Sequence, residues 1–241
     1  MVSFAAVQSS HVVNPSAEYR CTATLNLYDA PTLHRLATQA AAGRQLRILP
    51  PQGDGADGEA LAVVLCEDNY PGWISLADLA QLEPAASRYR AIARSTAKIR
   101  QSLPQVLAFA TAALHQPNEY RWGGTTAPNY DCSGLVQAAF ASVGVWLPRD
   151  AYQQEAFVQP VSVADRQPGD LIFFGQPDRC THVALALEGD RYLHSSGKDM
   201  GRNGIGIDRL ADCEDVISRA YFRQLRGVGR VVASYCPKPD H

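Results

Sequence analysis

Three residues of this chain, Cys132, His182 and His194, combine reactive side chains with surroundings that could make them chemically active. Cys132 stands in Asp131-Cys-Ser-Gly-Leu-Val136, shortly after the Gly-rich stretch Tyr120-Arg-Trp-Gly-Gly124. That order puts a thiol at the start of a helix. Open backbone N–H groups there, at Ser133 and Gly134, lower a thiol pKa and can donate to an oxyanion. His182 in Thr181-His-Val-Ala-Leu185 and His194 in Tyr192-Leu-His-Ser-Ser196 lie in strand-like contexts. A thiolate nucleophile, an imidazole base and a second group orienting that base make up a cysteine hydrolase. His182 is assigned as base and His194 as orienter. The bland alternatives are a buried, inert Cys132 and satisfied core imidazoles. That alternative is kept for His11, His34, His115 and His241.

Other chemistry fits less well. A zinc site drawn from Cys132, Cys180, His182 and His194 would have only Cys180-x-His182 as a local ligand pair, whereas metal sites usually show several. No metal and no cofactor is expected. Asp131 reads as a helix N-cap. It also reads as a carboxylate awaiting a cation, because an acid beside a nucleophile repels a thiolate. Strand alternation would put Cys180 on the same face as His182.

Composition bounds the rest. The chain has 241 residues, 46% of them hydrophobic and 19% charged, which suits one large or two modest folded domains. A net charge of −2 offers no footprint for nucleic acid or an anionic membrane. No apolar run approaches the length of a membrane span. The first ten residues lack the basic and apolar regions of a secretory signal, so a cytoplasmic location is expected. Six scattered cysteines, none in CxxC spacing, read as mostly buried free thiols.

The elements that must position the three residues follow from local patterns. Residues 1 to about 17 look irregular. From Tyr19 to about Leu82 there are short strand-like segments, at Cys21–Tyr28, Gln45–Leu49, Leu61–Cys66 and Gly72–Leu76, with Trp73 expected in the core. Turn clusters separate them, including a Gly-rich loop with Asp54 and Asp57 read as a solvated hairpin tip. This spacing predicts a small all-β barrel over residues 1–84. Leu33–Ala42 reads as a helical turn or a long loop. Residues 85–103 carry helical composition and are expected to form a connecting helix without linker-like Gly or Ser. Pro104 fits the first turn of a further helix over 104–115. A helix from Cys132, burying Leu135, Val136, Ala139, Phe140 and Val143 and ending near Gly144, is followed by strands at Asp170–Phe174, His182–Glu188 and Arg191–His194. Helices followed by strands predict an α+β domain over 104–241. Pro237–His241 reads as a tail.

Residues 104–236 resemble the NlpC family of bacterial cell-wall cysteine endopeptidases. The motifs that carry this are Tyr120-x-Trp-Gly-Gly, Asp131-Cys-Ser-Gly-Leu-Val, Leu147-Pro-Arg-Asp150, Gln167-Pro-Gly-Asp-Leu-Ile-Phe-Phe174, Thr181-His-Val183 and His194-Ser-Ser196. The resemblance implies a papain-like fold, with Cys132 as nucleophile, His182 as base, His194 as third polar residue and Tyr120 beside the oxyanion. The N-terminal part is similar to a bacterial SH3-like barrel. With Glu67-Asp-Asn-Tyr-Pro-Gly-Trp73 and Leu147–Gln154, the pairing resembles cyanobacterial-type γ-D-glutamyl-L-diamino acid endopeptidases.

Such a resemblance implies cleavage between D-Glu and a diamino acid such as meso-diaminopimelate in peptidoglycan stem peptides. The partners implied are peptidoglycan-derived peptides with a free N-terminal L-Ala, met during cell-wall recycling. Tyr70 then matches a barrel residue at the cleft and Asp131 the partner of the substrate ammonium. Trp122, Arg149 and Ser195 are further candidates to line the cleft, although Arg149-Asp150 reads equally as a loop-fixing ion pair. The rivals are an amidase or acyltransferase on the same Cys–His–His set, a hydrolase of intact peptidoglycan, and a non-catalytic wall-binding protein. The sequence leaves oligomeric state open.

Overall fold

The computed structural model describes residues 17–50 and 60–237. The irregular start, the Gly-rich segment with Asp54 and Asp57, and the tail from residue 238 lie outside the described residues. The chain divides into two units, one of residues 1–91 with 237–241, the other of residues 92–236.

The first unit is all-β, as its short alternating segments predict. Its strands are β1 (Glu18–Cys21), β2 (Leu25–Tyr28), β3 (Leu36–Ala40), β4 (Gln45–Ile48), β5 (Ala60–Leu65), β6 (Pro71–Ser75) and β7 (Leu82–Pro84). They form one antiparallel sheet in the order β3-β2-β6-β5-β4-β1-β7. Period-two alternation buries Leu25 and Leu27, Leu46 and Ile48, and Ile74 in a single core. The same alternation sends Trp73 to the other side of β6, where it is half-buried rather than in the core. Leu33–Ala42 is neither helical turn nor loop: it contains β3, paired along β2 from Leu25↔Ala40 to Tyr28↔Leu36. Its Leu-Ala-Thr-Gln-Ala composition leans towards helix, and cross-strand pairing overrides that local preference. Buried Arg44 is neutralised by Glu67 at 3.1 Å and Asp68 at 2.9 Å, so these charges hold β4 to the end of β5. Tyr70 packs, half-buried, against this unit's core.

The second unit starts with an irregular stretch. Residues 85–95 are not helical; the helix α1 runs over Thr96–Leu114. Ser95 caps it, accepting from the Lys98 N–H at 3.4 Å. Pro104 therefore lies inside a helix rather than in its first turn. The buried stripe Ile99, Val106, Ala110 and Ala113 outweighs the missing N–H. The hairpin β8 (Thr125–Thr126) and β9 (Asn129–Tyr130) leads into α2 (Cys132–Ala141). There follow α3 (Ala151–Phe157), β10 (Gln159–Val161), β11 (Leu171–Gln176), β12 (Arg179–Ala186), β13 (Arg191–Ser196), β14 (Gly204–Arg209), α4 (Val216–Phe222) and β15 (Leu225–Arg230).

The strands from β10 onward form an antiparallel sheet in the order β10-β15-β11-β12-β13-β14. Alternation divides their side chains between two cores. Leu171, Phe173, Val183, Leu185 and Leu193 pack with α1 and α2. Ile172, Phe174, Ala184, Ala186 and Tyr192 pack with Tyr221 of α4. This is the α+β arrangement expected, with helices covering an antiparallel sheet that carries both histidines. Among the described residues, no helix is long and apolar enough to cross a membrane.

Candidate active site

Cys132 is the first residue of α2, and the turn before it explains the glycines. Gly124 donates to the Arg121 carbonyl at 2.9 Å, and the Asp131 N–H donates to the Gly124 carbonyl at 3.0 Å. A Cβ at Gly134 would fall on that same Gly124 oxygen. Glycine at 134 is therefore what lets the turn lie against the first turn of α2.

Asp131 caps α2, as the capping alternative predicts. It accepts from the Gly134 N–H at 2.7 Å and the Gly123 N–H at 2.9 Å. It also meets a cation, but that cation belongs to the chain. Arg149 Nη2 lies 2.5 Å from Oδ2, and Nη1 lies 3.1 Å from Oδ1 and 2.9 Å from Ser133 Oγ. Arg149 is 2% exposed. One assignment is thereby corrected. Arg149 is an internal counter-ion of Asp131 rather than an exposed cleft-lining residue. Asp131 thus serves as cap and as partner of a resident guanidinium, and a buried carboxylate gains from that counter-charge.

Ser195 also takes an internal role. It is fully buried and donates to the Tyr130 carbonyl at 2.6 Å, tying β13 to β9. Trp122, by contrast, is 58% exposed in its turn. Tyr70 belongs to the other unit.

The thiol sits beside the Val183 end of the Thr181-His-Val motif. Cys132 receives hydrogen bonds from the backbone N–H groups of Val183 and Ser133. The Ser133 backbone, rather than its hydroxyl, thus faces the sulfur. Tyr120, half-buried, senses the charge of Cys132, as does Tyr221 from α4. Burial and that nearby charge push the Tyr120 phenol up, so it stays a donor at any working pH.

His182 and His194 meet directly. His182 Nε2 and His194 Nδ1 are 2.7 Å apart, which leaves Nδ1 as the remaining ring nitrogen of His182. His182 is held between aromatic rings, Tyr221 at 4.6 Å and Phe174 at 5.9 Å between centroids. A bulge aims it. Phe174 pairs with His182 while Gly175 pairs with Cys180, so Thr181 is an extra residue in β12. That bulge breaks the alternation that would place Cys180 with His182. Cys180 instead packs on the helix side of the sheet, with its Sγ 3.4 Å from the His182 carbonyl.

The electrostatics correct one expectation. Burial, then the Asp131 charge, pushes the Cys132 thiol up to about 12 despite the donors around it. Burial, then the neighbouring His194, holds His182 well below the ordinary histidine value. Burial likewise lowers His194. Enclosing the groups disfavours every charged form more than the helix terminus can offset. Burial thus favours the neutral thiol and the neutral imidazoles.

Three residues of this site were not anticipated. Asp208 Oδ2 lies 2.6 Å from His194 Nε2. Arg202 engages both oxygens of Asp208, at 3.2 and 2.5 Å. Tyr221 packs on both imidazoles and lies 2.7 Å from Ser196 Oγ. The available signal was the alternation of Gly204-Ile-Gly-Ile-Asp208, which marks a strand whose glycine face carries one carboxylate.

Residues 117–226 match the NlpC/P60 family, and residues 27–79 match the bacterial dipeptidyl-peptidase Sh3 domain. The chain carries an NlpC/P60 domain behind an SH3-like domain. It is 34% identical over 137 residues to the peptidoglycan endopeptidase RipB of Mycobacterium tuberculosis, covering 52% of this chain and 56% of RipB. It is 29% identical over 130 residues to the bifunctional muramidase/DL-endopeptidase CwlT of Bacillus subtilis, covering 52% of this chain and 40% of CwlT. The chain thus spans about half the length of these curated relatives. A solved NlpC/P60 family protein from Bacillus cereus superposes over 93% of this chain and 66% of its own, at 19% identity and a TM-score of 0.45. The NlpC/P60 match covers Cys132 and the hydrogen-bonded set His182, His194 and Asp208.

Proposed function

We propose that this protein is a cysteine endopeptidase that cleaves the γ-D-glutamyl–diamino acid bond of peptidoglycan stem peptides. The observation that carries the reading is the NlpC/P60 domain's buried thiol at a helix start, bonded to the backbone of Val183, while His182, the residue before Val183, is bonded through Nε2 to a second imidazole. The domain's likeness to peptidoglycan endopeptidases supplies the substrate class.

In this reading His182 Nδ1 takes the Cys132 proton as sulfur attacks the γ-carbonyl carbon. The Tyr120 hydroxyl and the backbone N–H groups at the start of α2 receive the developing oxyanion. The imidazolium returns its proton to the leaving amine of the diamino acid, and an acyl-enzyme remains. Water, deprotonated by His182, releases the D-glutamyl peptide and restores the thiol.

The finer reading is a recycling enzyme that prefers a free N-terminal L-Ala. It rests on the resemblance of the SH3-like domain, on Tyr70, and on Asp131 as the carboxylate that the resemblance matches to the substrate ammonium. Mass spectrometry of products from L-Ala-γ-D-Glu-diaminopimelate tests the bond. L-Ala-D-Glu plus free diaminopimelate is expected, and absent with Cys132→Ala. Transfer to an added amine without hydrolysis would overturn the reading in favour of an acyltransferase. Equal kcat/KM on the free and N-acetylated peptides, unchanged in Tyr70→Ala, would overturn the free-amine preference and point to intact peptidoglycan as substrate.

A further inference from the structure

The two-histidine contact does not end at His194. Behind it, Asp208 accepts at His194 Nε2 from the neighbouring strand β14, and Arg202 closes on Asp208. The register shows how the clamp fits. Tyr192 pairs with Asp208, His194 with Gly206 and Ser196 with Gly204. Gly206 thus lies directly across from His194 on the same face of the sheet. A Cβ at Gly206 would fall inside the Arg202 side chain, 2.6 Å from its Cδ. The missing side chain is the space through which Arg202 reaches Asp208.

We propose that Asp208, clamped by Arg202 across Gly206, is a positioning residue that fixes the proton positions on both histidines and keeps His182 Nδ1 bare for the thiol proton. The inference rests on the cysteine-peptidase reading, and it follows from donor counting. A carboxylate has only acceptors, so the proton in the 2.6 Å contact belongs to His194 Nε2. His194 is neutral, so its Nδ1 has no proton and accepts from His182. The proton in the 2.7 Å contact therefore belongs to His182 Nε2, and Nδ1 of His182 is the acceptor. The opposite tautomer of His194 would set a bare nitrogen against a carboxylate oxygen in a buried site. The low value of Asp208 agrees: burial raises it, but His194 and Arg202 together pull it below the ordinary carboxylate range.

Other groups bear on this chain of protons. His182 faces Tyr221 of α4 and Phe174 of β11, and Cys132 of α2 is bonded to the backbone of the next residue, Val183. His194 packs on Tyr192 and Tyr221. Asp208 is further felt by Asp215, at the start of α4. None of these places a second acceptor at His194 Nε2, so Asp208 sets the tautomer.

The test uses Asp208→Leu, with Gly206→Ala as a milder variant that keeps every titratable group. Nitrogen-15 NMR of histidine-labelled protein reads the tautomers, and iodoacetamide alkylation of Cys132 against pH reads the base without any substrate. In the wild type, His194 and His182 are both expected to be protonated on Nε2. Asp208→Leu should populate the Nδ1-protonated form of His194 and slow alkylation about 10–100-fold, the usual loss for an orienting partner. The acid limb of the alkylation profile should move to lower pH, by about 0.5–1 unit for loss of a charge one ring away. Gly206→Ala should give the same changes, smaller, with KM within twofold. Should Asp208→Leu not fold, Gly206→Ala decides the matter alone. A wild-type His194 protonated on Nδ1, or tautomers and pH limb unmoved in the variants, would overturn the proposal. The endopeptidase reading would survive that result, since product analysis tests it separately.

Discussion

Arg149→Met is the perturbation whose outcome is set most directly by the geometry. Arg149 makes a two-pronged contact with Asp131 and a third bond to Ser133, all buried at the start of α2. Methionine fills similar volume but leaves Asp131 without its counter-charge. Removing one partner of a buried pair costs about 3–5 kcal/mol. Asp131 keeps three donors here, the Gly123 and Gly134 N–H groups and the Ser133 hydroxyl, which favours the lower end of that range. A loss of about 3 kcal/mol corresponds to a fall in Tm of roughly 6–12 °C for a protein of this size. The thiol responds as well. Arg149 lowers the Cys132 pKa and Asp131 raises it, so the variant should alkylate more slowly at fixed pH. Guanidinium unfolding of wild type, Arg149→Met, Asp131→Asn and the double variant completes a cycle, with a coupling of about 2–3 kcal/mol expected between the two. The double variant should recover much of the lost stability, because no buried charge is then unpaired. A single-variant loss below about 1 kcal/mol, with no coupling, would show that Arg149 is not the counter-ion described.

Cys132→Ala should abolish peptide turnover, by about 10⁴-fold or more, with circular dichroism unchanged. His182→Ala should cost about as much in kcat as Cys132→Ala, and His194→Ala less, because it orients the base rather than moving the thiol proton. Both histidines are lowered in the folded state, so their stabilisation is fully present above the unfolded value near 6.5 and is lost as pH falls below it. Stability should drop by about 1.4 kcal/mol per pH unit for each buried neutral histidine, and the slope should halve in His182→Ala. Tyr120→Phe should lower kcat with little change in KM if its hydroxyl serves the oxyanion, and stopped-flow acylation rates read that directly.

What the sequence disclosed of this site is what local chemistry writes into neighbouring residues. The turn glycines, the Asp131 cap and the start of α2 lie within some fifteen residues, and each constrains the next through a backbone bond or a steric limit. The two histidines were legible because their strands carry period-two patterns. The first unit was legible as all-β for the same reason, except β3, whose composition leans to helix while β2 supplies its pairing. The 85–103 connector failed differently. Helical composition there has no cap and no buried stripe until Ser95 and Ile99, so the helix starts late and continues through Pro104.

The illegible part of the site is the part whose partners are distant in sequence and whose role depends on register. Arg149 resembles a substrate-binding arginine until Asp131, eighteen residues earlier, is seen beside it. Asp208 is an ordinary strand-end carboxylate until β14 pairs with β13 in one particular register and Gly206 opens a path for Arg202. A slip of one residue would turn Asp208 to the opposite face and leave His194 Nε2 without its acceptor. The thiol's protonation state was misjudged for a related reason. Helix position and nearby imidazoles are visible in sequence and lower a thiol pKa, whereas burial raises it and becomes known only from the fold. Burial therefore favours the uncharged forms of the thiol and the imidazoles. In the proposed mechanism, reactivity depends on where the last proton of the His182–His194–Asp208 chain sits, and the register of the sheet, rather than any one motif, sets which groups meet there.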